Sequence, residues 1–229
     1  MRKIKNYFTG FEIGLWMSSV IVITFSYFFF DGKDILTFIA SIIGATFLIF
    51  NAKGNPIGQF LTIIFSIMYG IISYRFAYYG EMITYLGMTM PMACFALISW
   101  LKNPYKNNKA QVKVNKLSKN EYAFMVVLTV VVTVAFYFVL KTFNTANLIF
   151  STLSVTTSFI AVYLTLKRSS FFALAYACND IILIILWILA TLKDNSYFSV
   201  VICFFVFLVN DIYGFISWIK MENNQRLCN

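Results

Sequence analysis

Eight apolar stretches, each close to the length that crosses a bilayer as an α-helix, leave this chain few architectures. They run over Phe11–Phe30, Asp34–Phe50, Pro56–Phe76, Gly80–Leu101, Tyr122–Leu140, Thr145–Leu166, Phe171–Thr191 and Tyr197–Ile219. Of 229 residues, 60% are hydrophobic and only 12% charged, so little polar sequence remains to connect them. The 26 Phe and 14 Tyr would suit strands, but a membrane barrel alternates apolar and polar residues in segments of about ten, and these runs do not alternate. The expected fold is an all-α polytopic membrane protein. An even number of spans places both termini on one side of the membrane. Lys33, Arg75, Lys141 and Lys193 then fall on the other side, and the rest of the 18 Lys and Arg lie with the termini. The positive-inside rule makes that richer side cytoplasmic, in a cell (inner or plasma) membrane. The basic start resembles that of a signal peptide, but the run after it is long, aromatic-rich and without a small-x-small cleavage site, so it is expected to stay as an anchor.

Composition also removes whole classes of function. The net charge of +9 is distributed over short segments between spans rather than gathered on one face, which argues against nucleic-acid binding. Cys94, Cys178 and Cys203 fall inside apolar runs and Cys228 in the tail, so no disulfide framework is expected. The chain contains no His. With no imidazole, no metal-ligand motif, no nucleophile elbow and no Walker loop, neither an enzyme nor a nucleotide-driven pump is expected, and no cofactor or metal is implied.

The chain repeats itself. Ile98-Ser-Trp-Leu-Lys102 closes the fourth span and Ile216-Ser-Trp-Ile-Lys220 the eighth, while Lys53 and Lys167 close the second and sixth. Two three-helix units running in the same direction, joined by a single helix that allows them to repeat without inverting, give a 3+1+3 arrangement behind an extra first helix. The organisation expected is an N-terminal helix (1–33), a first repeat (34–102), a basic loop and linker helix (103–142), a second repeat (143–220) and a cytoplasmic tail (221–229). Residues 102–120 read as a solvated linker beside anionic headgroups.

Polar residues inside the spans mark the candidate site. Gln59, Thr62, Ser66, Tyr69 and Ser73 follow helical spacing along the third span, and a shift of 114 positions lands on Ala173, Tyr176, Asp180, Leu183 and Trp187. Such seams either glue helices together or line a path. Asn179 and Asp180 sit at the midpoint of their span, where a carboxylate costs roughly 2.5–3.5 kcal/mol on insertion scales and so faces protein or a water-filled path. Asp180 between Tyr176 and Trp187 is a seat for a flat, cationic ring. Asn210 and Tyr213 extend the candidate substrate contacts into the eighth span, and Asp211 reads as a gate or an interhelical hydrogen-bonding group. Asn55 caps the third helix ahead of Pro56. Pro91 removes a hydrogen bond to the Gly87 carbonyl and predicts a kink, which is either a packing feature or exposes that carbonyl to the path. With Trp100 and Trp218, these residues form the candidate gate and hinge set. Asp180 and Asp211 read as the only acids well inside the spans.

The segment Lys53-Gly-Asn-Pro-Ile-Gly58, then Tyr69, Tyr79-Gly-Glu81 and Trp100, resembles the PnuC family of vitamin transporters, relatives of the SWEET sugar transporters. Lys167-Arg168, Asn179-Asp180, Trp187 and Trp218 fit the same pattern, so the resemblance runs from about Leu36 to Lys220. It implies uptake of nicotinamide riboside by facilitated diffusion, trapping by a cytoplasmic kinase, and a homotrimer. The family often carries further tryptophans early in its third and seventh helices, where this chain has Pro56-Ile-Gly-Gln-Phe60 and Phe171-Phe-Ala-Leu-Ala175. Thiamine, another vitamin or a nucleoside therefore stays open as the substrate, as does a membrane scaffold or receptor that transports nothing.

Overall fold

A polar chain end cannot be left bare in lipid, and the helix boundaries of this protein are settled by how each end is satisfied. The computed structural model describes residues 7–31, 34–75, 78–106, 108–145, 147–192 and 195–227. Expectations attached to residues 1–6, Lys33, Phe76, Lys193 and Cys228 lie outside the described residues. Among those described, eight helices are long and apolar enough to cross a membrane. They are α1 (Gly10–Ser26, continued by a π-helical turn Tyr27–Asp31), α2 (Ile35–Ala52), α3 (Pro56–Arg75) and α4 (Tyr79–Lys102). The second group is α5 (Lys119–Thr142), α6 (Leu148–Leu166), α7 (Phe172–Thr191) and α8 (Phe198–Leu227).

Two helices that start on the basic side open with capping boxes: Thr9 with Glu12 in α1, and Ser118 with Glu121 in α5. Each acid serves a second purpose. Glu12 is buried, pairs with Lys53 at 3.2 Å and accepts a 2.8 Å bond from the Tyr213 hydroxyl, which ties α1 to the end of α2 and to α8. Glu121 pairs with Lys167 at 3.0 Å, tying α5 to the end of α6. Otherwise α5 packs mainly on α6 and leaves Val126, Val127, Val130, Val131 and Val134 exposed, as a lipid-facing helix does.

The C-terminal carbonyls of α2 and α6 are satisfied across the molecule. Trp218 in α8 donates its indole N–H to the Asn51 carbonyl (2.7 Å), and Ser217 donates to Ala52 (2.7 Å). In the other half, Trp100 in α4 donates to the Thr165 carbonyl (2.9 Å) and Ser99 to Leu166 (3.1 Å). The two Ser-Trp pairs therefore make equivalent bonds, each to the other half. Both indoles are 0% exposed and lie 5.4 Å apart between ring centroids.

The segment expected to be a solvated linker is instead docked over this crossing. It forms a short hairpin, β1 (Pro104–Tyr105) with β2 (Asn108–Val112). Val112 and Leu117 are buried against Trp100, Trp218 and Met221. Gly54 and Arg168 end the two equivalent turns in the left-handed region, at φ +65° and +57°. Their carbonyls accept from the Val112 and Asn115 N–H groups at 2.9 and 3.0 Å, so one strand of linker is stitched to both halves. The tail differs from expectation as well: α8 runs on to Leu227, and Gln225 donates to the Val112 carbonyl and accepts from the Val114 N–H.

Close helix approaches set the rest of the bundle. Gly44 on α2 faces the Phe207 ring of α8, and Gly214 on α8 lies against Ala173 of α7, so each contact has room for hydrogen only or little more. Replacing Trp218 by Phe removes the donor to a buried carbonyl, a change that costs about 1–3 kcal/mol. A lowered melting temperature in detergent is expected for Trp218→Phe, with a comparable drop for Trp100→Phe; an unshifted melting curve for both would show that the crossed bonds add nothing to stability.

Candidate functional site

Helices α2, α3, α4, α6, α7 and α8 converge on a cavity with about 570 Å³ of atom-free space, its open mouth included. Its apolar wall is built of rings: Phe47, Phe65, Phe172, Phe204 and Phe207, with Tyr85 and Tyr176. Phe207 sits 5.8 Å from Phe65 and 5.6 Å from Phe204 between centroids, both edge-on, the packing expected of ring quadrupoles. The polar wall consists of Asn51, Thr62, Thr89, Ser158, Asn179, Asp180 and Asp211.

Asp180 and Asp211 dominate the chemistry. They are 4% and 5% exposed. Their carboxyl groups lie within hydrogen-bonding reach of one another, and Asp180 Oδ2 meets no N–H or O–H donor among the described residues. Among the described residues no Lys or Arg lines the cavity. Two carboxyl groups in hydrogen-bonding reach of one another share a proton, so the pair presents a single buried negative charge in a low-dielectric wall, and a positive ligand is the complement to it.

Local structure explains how the other polar groups arrive there. Gln59 donates to Asn51 Oδ1 at 2.9 Å, which orients the Asn51 side chain at the cavity floor, while Gln59 itself stays one layer back. Gly58 permits that approach, because a Cβ there would strike Asn51. Asn179 Oδ1 accepts from Thr157 (2.8 Å) and Ser158 (3.1 Å) and so joins α7 to α6. In α4, a π-helical turn Tyr85–Thr89 directly precedes Pro91, with the Met90 N–H reaching back to the Tyr85 carbonyl. Tyr85 and Thr89, four residues apart, both line the cavity from this turn. Gly87, on the other side of the turn, is exposed and has only Ile83 nearby, so the pathway reading of its carbonyl is not supported.

The structure brings together some of the sequence-expected residues and separates others. Thr62, Tyr176, Asn179 and Asp180 line the cavity, and so does Asp211, beside Asp180. Ser66 is buried in α3 and bonds to the Thr62 carbonyl. Asp180 is not bracketed by Tyr176 and Trp187. Trp187 lies in a second chamber with Tyr69, and Phe65, Phe204 and Phe207 line both chambers and partition them. Beyond it, at the end opposite the basic face, Trp187 packs 4.9 Å from Tyr78 and 5.6 Å from Tyr197. Burial, then the neighbouring Tyr197 and Glu81, raises the Tyr78 hydroxyl above its ordinary value, so it stays a neutral donor.

Asn210 and Tyr213, expected among the substrate contacts, do not line this cavity: Asn210 donates to Ser19 of α1 and to the Val206 carbonyl, and Tyr213 donates to Glu12. Asn55 caps α3 through Ile57 and donates to the Tyr7 hydroxyl at the basic face. Trp100 and Trp218 form the buried crossing described above and do not line the cavity. Sequence reasoning missed Asn51, Tyr85, Thr89 and Ser158 in the cavity, and it missed two further buried acids, Glu12 and Glu81.

Among the described residues, eight membrane helices, six of them around a ring-walled acidic cavity, give the architecture of a multi-pass membrane protein of the solute-transporter class. The chain belongs to the nicotinamide mononucleotide transporter family, whose pattern matches residues 34–220. A nicotinamide riboside transporter, PnuC, from Neisseria mucosa is 27% identical over 159 residues, covering 67% of this chain and 60% of the relative. The fold is that of a crystal structure of the vitamin B3 transporter PnuC, with a TM-score of 0.83 and 22% identity over 95% of this chain and 94% of the other.

The Asn179 joint yields a test separate from binding. Asn179→Ala strips the acceptor from two hydroxyls and is expected to lower stability by about 1–3 kcal/mol. Thermal melting in detergent measures it; an unchanged melt would remove Asn179 from the α6–α7 joint.

Proposed function

We propose that this protein carries nicotinamide riboside into the cell across the cytoplasmic membrane by facilitated diffusion. The observation that supports this most is the Asp180–Asp211 pair in a cavity lined by rings and, among the described residues, by no Lys or Arg. A pyridinium ring brings one positive charge and a flat face, and the cavity supplies carboxylates and aromatic walls for both. The same chemistry decides between riboside and mononucleotide. A phosphate adds a charge of about −1.5 to −2 at neutral pH, which the acidic pair repels and no cation among the described lining residues offsets. The dephosphorylated form is the better match, in agreement with what the Neisseria relative is named for.

In this reading the substrate gradient drives uptake, a cytoplasmic kinase maintains it by phosphorylating the riboside, and both termini lie in the cytoplasm with the Lys-rich face. Protomers assemble as a homotrimer. No catalytic role is assigned. Thiamine is the competing substrate, because a thiazolium cation meets the same carboxylates, and a protein that moves neither solute would be a scaffold or receptor.

Proteoliposomes holding the purified chain are expected to equilibrate labelled nicotinamide riboside and to leave the mononucleotide outside. Accumulation above equilibrium under an imposed proton or sodium gradient would overturn facilitated diffusion. Asp180→Asn is expected to weaken riboside binding by about 1.5–3 kcal/mol, the range for a hydrogen bond to a charged group and roughly tenfold or more in affinity. Titration of the folded variant decides it: unchanged affinity with a lowered melting temperature would confine Asp180 to helix packing.

A further inference from the structure

On the outer side of the docked linker, at the starts of α5 and α7 and the end of α8, lies a cleft with about 360 Å³ of water-sized room. It shares no lining residue with the ring-walled cavity. Three charged side chains line it: Lys116 of the linker, and Glu222 and Arg226 of α8. Glu222 accepts from the hydroxyl of Ser170, itself 3% exposed, and pairs with Arg226 one turn further on. Lys116 is exposed and has no ion pair among the described residues. Arg226 and Glu222 offset one another, so the cleft carries one uncompensated positive charge. Asn115 and Asn223 line it too and bring amide donors. An oxyanion with a single negative charge is the complement.

The rest of the wall is apolar and runs on into the lipid-facing surface. Phe171, 44% exposed, and Ile219 line the cleft. The Phe171 ring lies 5.8 Å from that of Phe215 between centroids. Leu174 follows Phe171 at helical spacing on α7, Ile216 and Ile212 precede Ile219 at helical spacing on α8, and all three are exposed. Tyr122, in the first turn of α5, adds an amphipathic ring of the kind that settles at headgroup level. An ion free in water gains nothing from these side chains, whereas an amphiphile uses both parts of the wall.

We propose that this cleft is a binding site for one acidic phospholipid, with the phosphodiester beside Lys116 and Arg226 and an acyl chain along Phe171, Leu174 and Ile216. A phosphodiester carries one negative charge and so matches the uncompensated Lys116. A phosphate monoester brings about −1.5 to −2 and has no apolar part for the lower wall. Basic pockets between helices on the cytoplasmic side of membrane proteins hold lipid headgroups in this way. A headgroup here joins the linker to α8 beside two bonds already made, Asn115 N–H to the Arg168 carbonyl and Val114 N–H to Gln225. An occupied cleft therefore braces the strand that stitches the two halves together, whichever solute the protein carries.

The test titrates the full chain, in uncharged detergent, with phosphatidylglycerol bearing a dansyl group on one acyl chain, and reads energy transfer from tryptophan; Trp218 adjoins Ile219. Saturation at a single lipid per chain is expected. Lys116→Gln is expected to weaken binding about fivefold, the worth of one lysine at an anionic membrane surface, and Lys116→Arg to preserve it. Lys109→Gln removes an exposed hairpin charge that does not line the cleft and is expected to change nothing. Binding that does not saturate, an unchanged affinity for Lys116→Gln, or an equal loss for Lys109→Gln overturns the site. Competition identifies the source of the phosphate: unlabelled phosphatidylglycerol is expected to displace the probe, and phosphatidylcholine or millimolar soluble glycerophosphate to leave it in place. Equal displacement by phosphatidylcholine overturns the acidic headgroup, and displacement by glycerophosphate overturns the lipid in favour of a free phosphate ester.

Discussion

The bundle depends on a problem every membrane helix has to solve: its last carbonyls need donors, and lipid offers none. Here α2 and α6 obtain theirs from Ser and Trp side chains of α8 and α4, reaching across from the other half. Because the donors are indoles, the same residues that satisfy the carbonyls also fill the space between the halves. The hairpin, the end of α8 and the two left-handed turns at Gly54 and Arg168 are all built on that crossing. The basic face is thereby closed and well packed, and the unpaired acids collect in the remainder of the bundle.

That division sorts the polar residues of the spans. Acids near the basic face have ion pairs, as Glu12 does with Lys53 and Glu121 with Lys167. Asp180, Asp211 and Glu81 have none among the described residues and lie among rings. A polar group buried in a membrane protein either fastens helices or meets a solute. Asn179 and Asn210, each next to one of these acids in sequence, fasten helices through bonds to Ser and Thr, while their acidic neighbours turn to the cavity.

Those adjacent pairs also explain how far the sequence could be read. Helix number, direction and the Ser-Trp correspondence are legible because apolar run length and a repeated pentapeptide are properties of the chain alone. Asp180 is legible because no other charged residue lies in its run. Which of Asn210 and Asp211 faces the cavity is not, since neighbours on a helix point about 100° apart and the answer depends on where α1 packs. Tyr85 and Thr89 escape because neither residue type stands out in spans this rich in rings and hydroxyls. Glu81 reads as an interfacial residue until the fold shows α6 covering it. In the linker, Val112, Val114 and Leu117 did carry an apolar signal, but a segment with this many lysines resembles solvated chain until the Trp pair that receives those side chains is in place.

The crossed bonds also fix the order in which the molecule can be finished. The Asn51 carbonyl is synthesised early, and its donor, Trp218, follows 167 residues later on α8. The partner bond, Trp100 to Thr165, spans 65 residues and is available once α6 is inserted. Contacts so distant along the chain close last. During biogenesis the first half therefore waits with an open helix end until α8 is in place, so a chain terminated ahead of Trp218 lacks the seal and not merely a segment of wall.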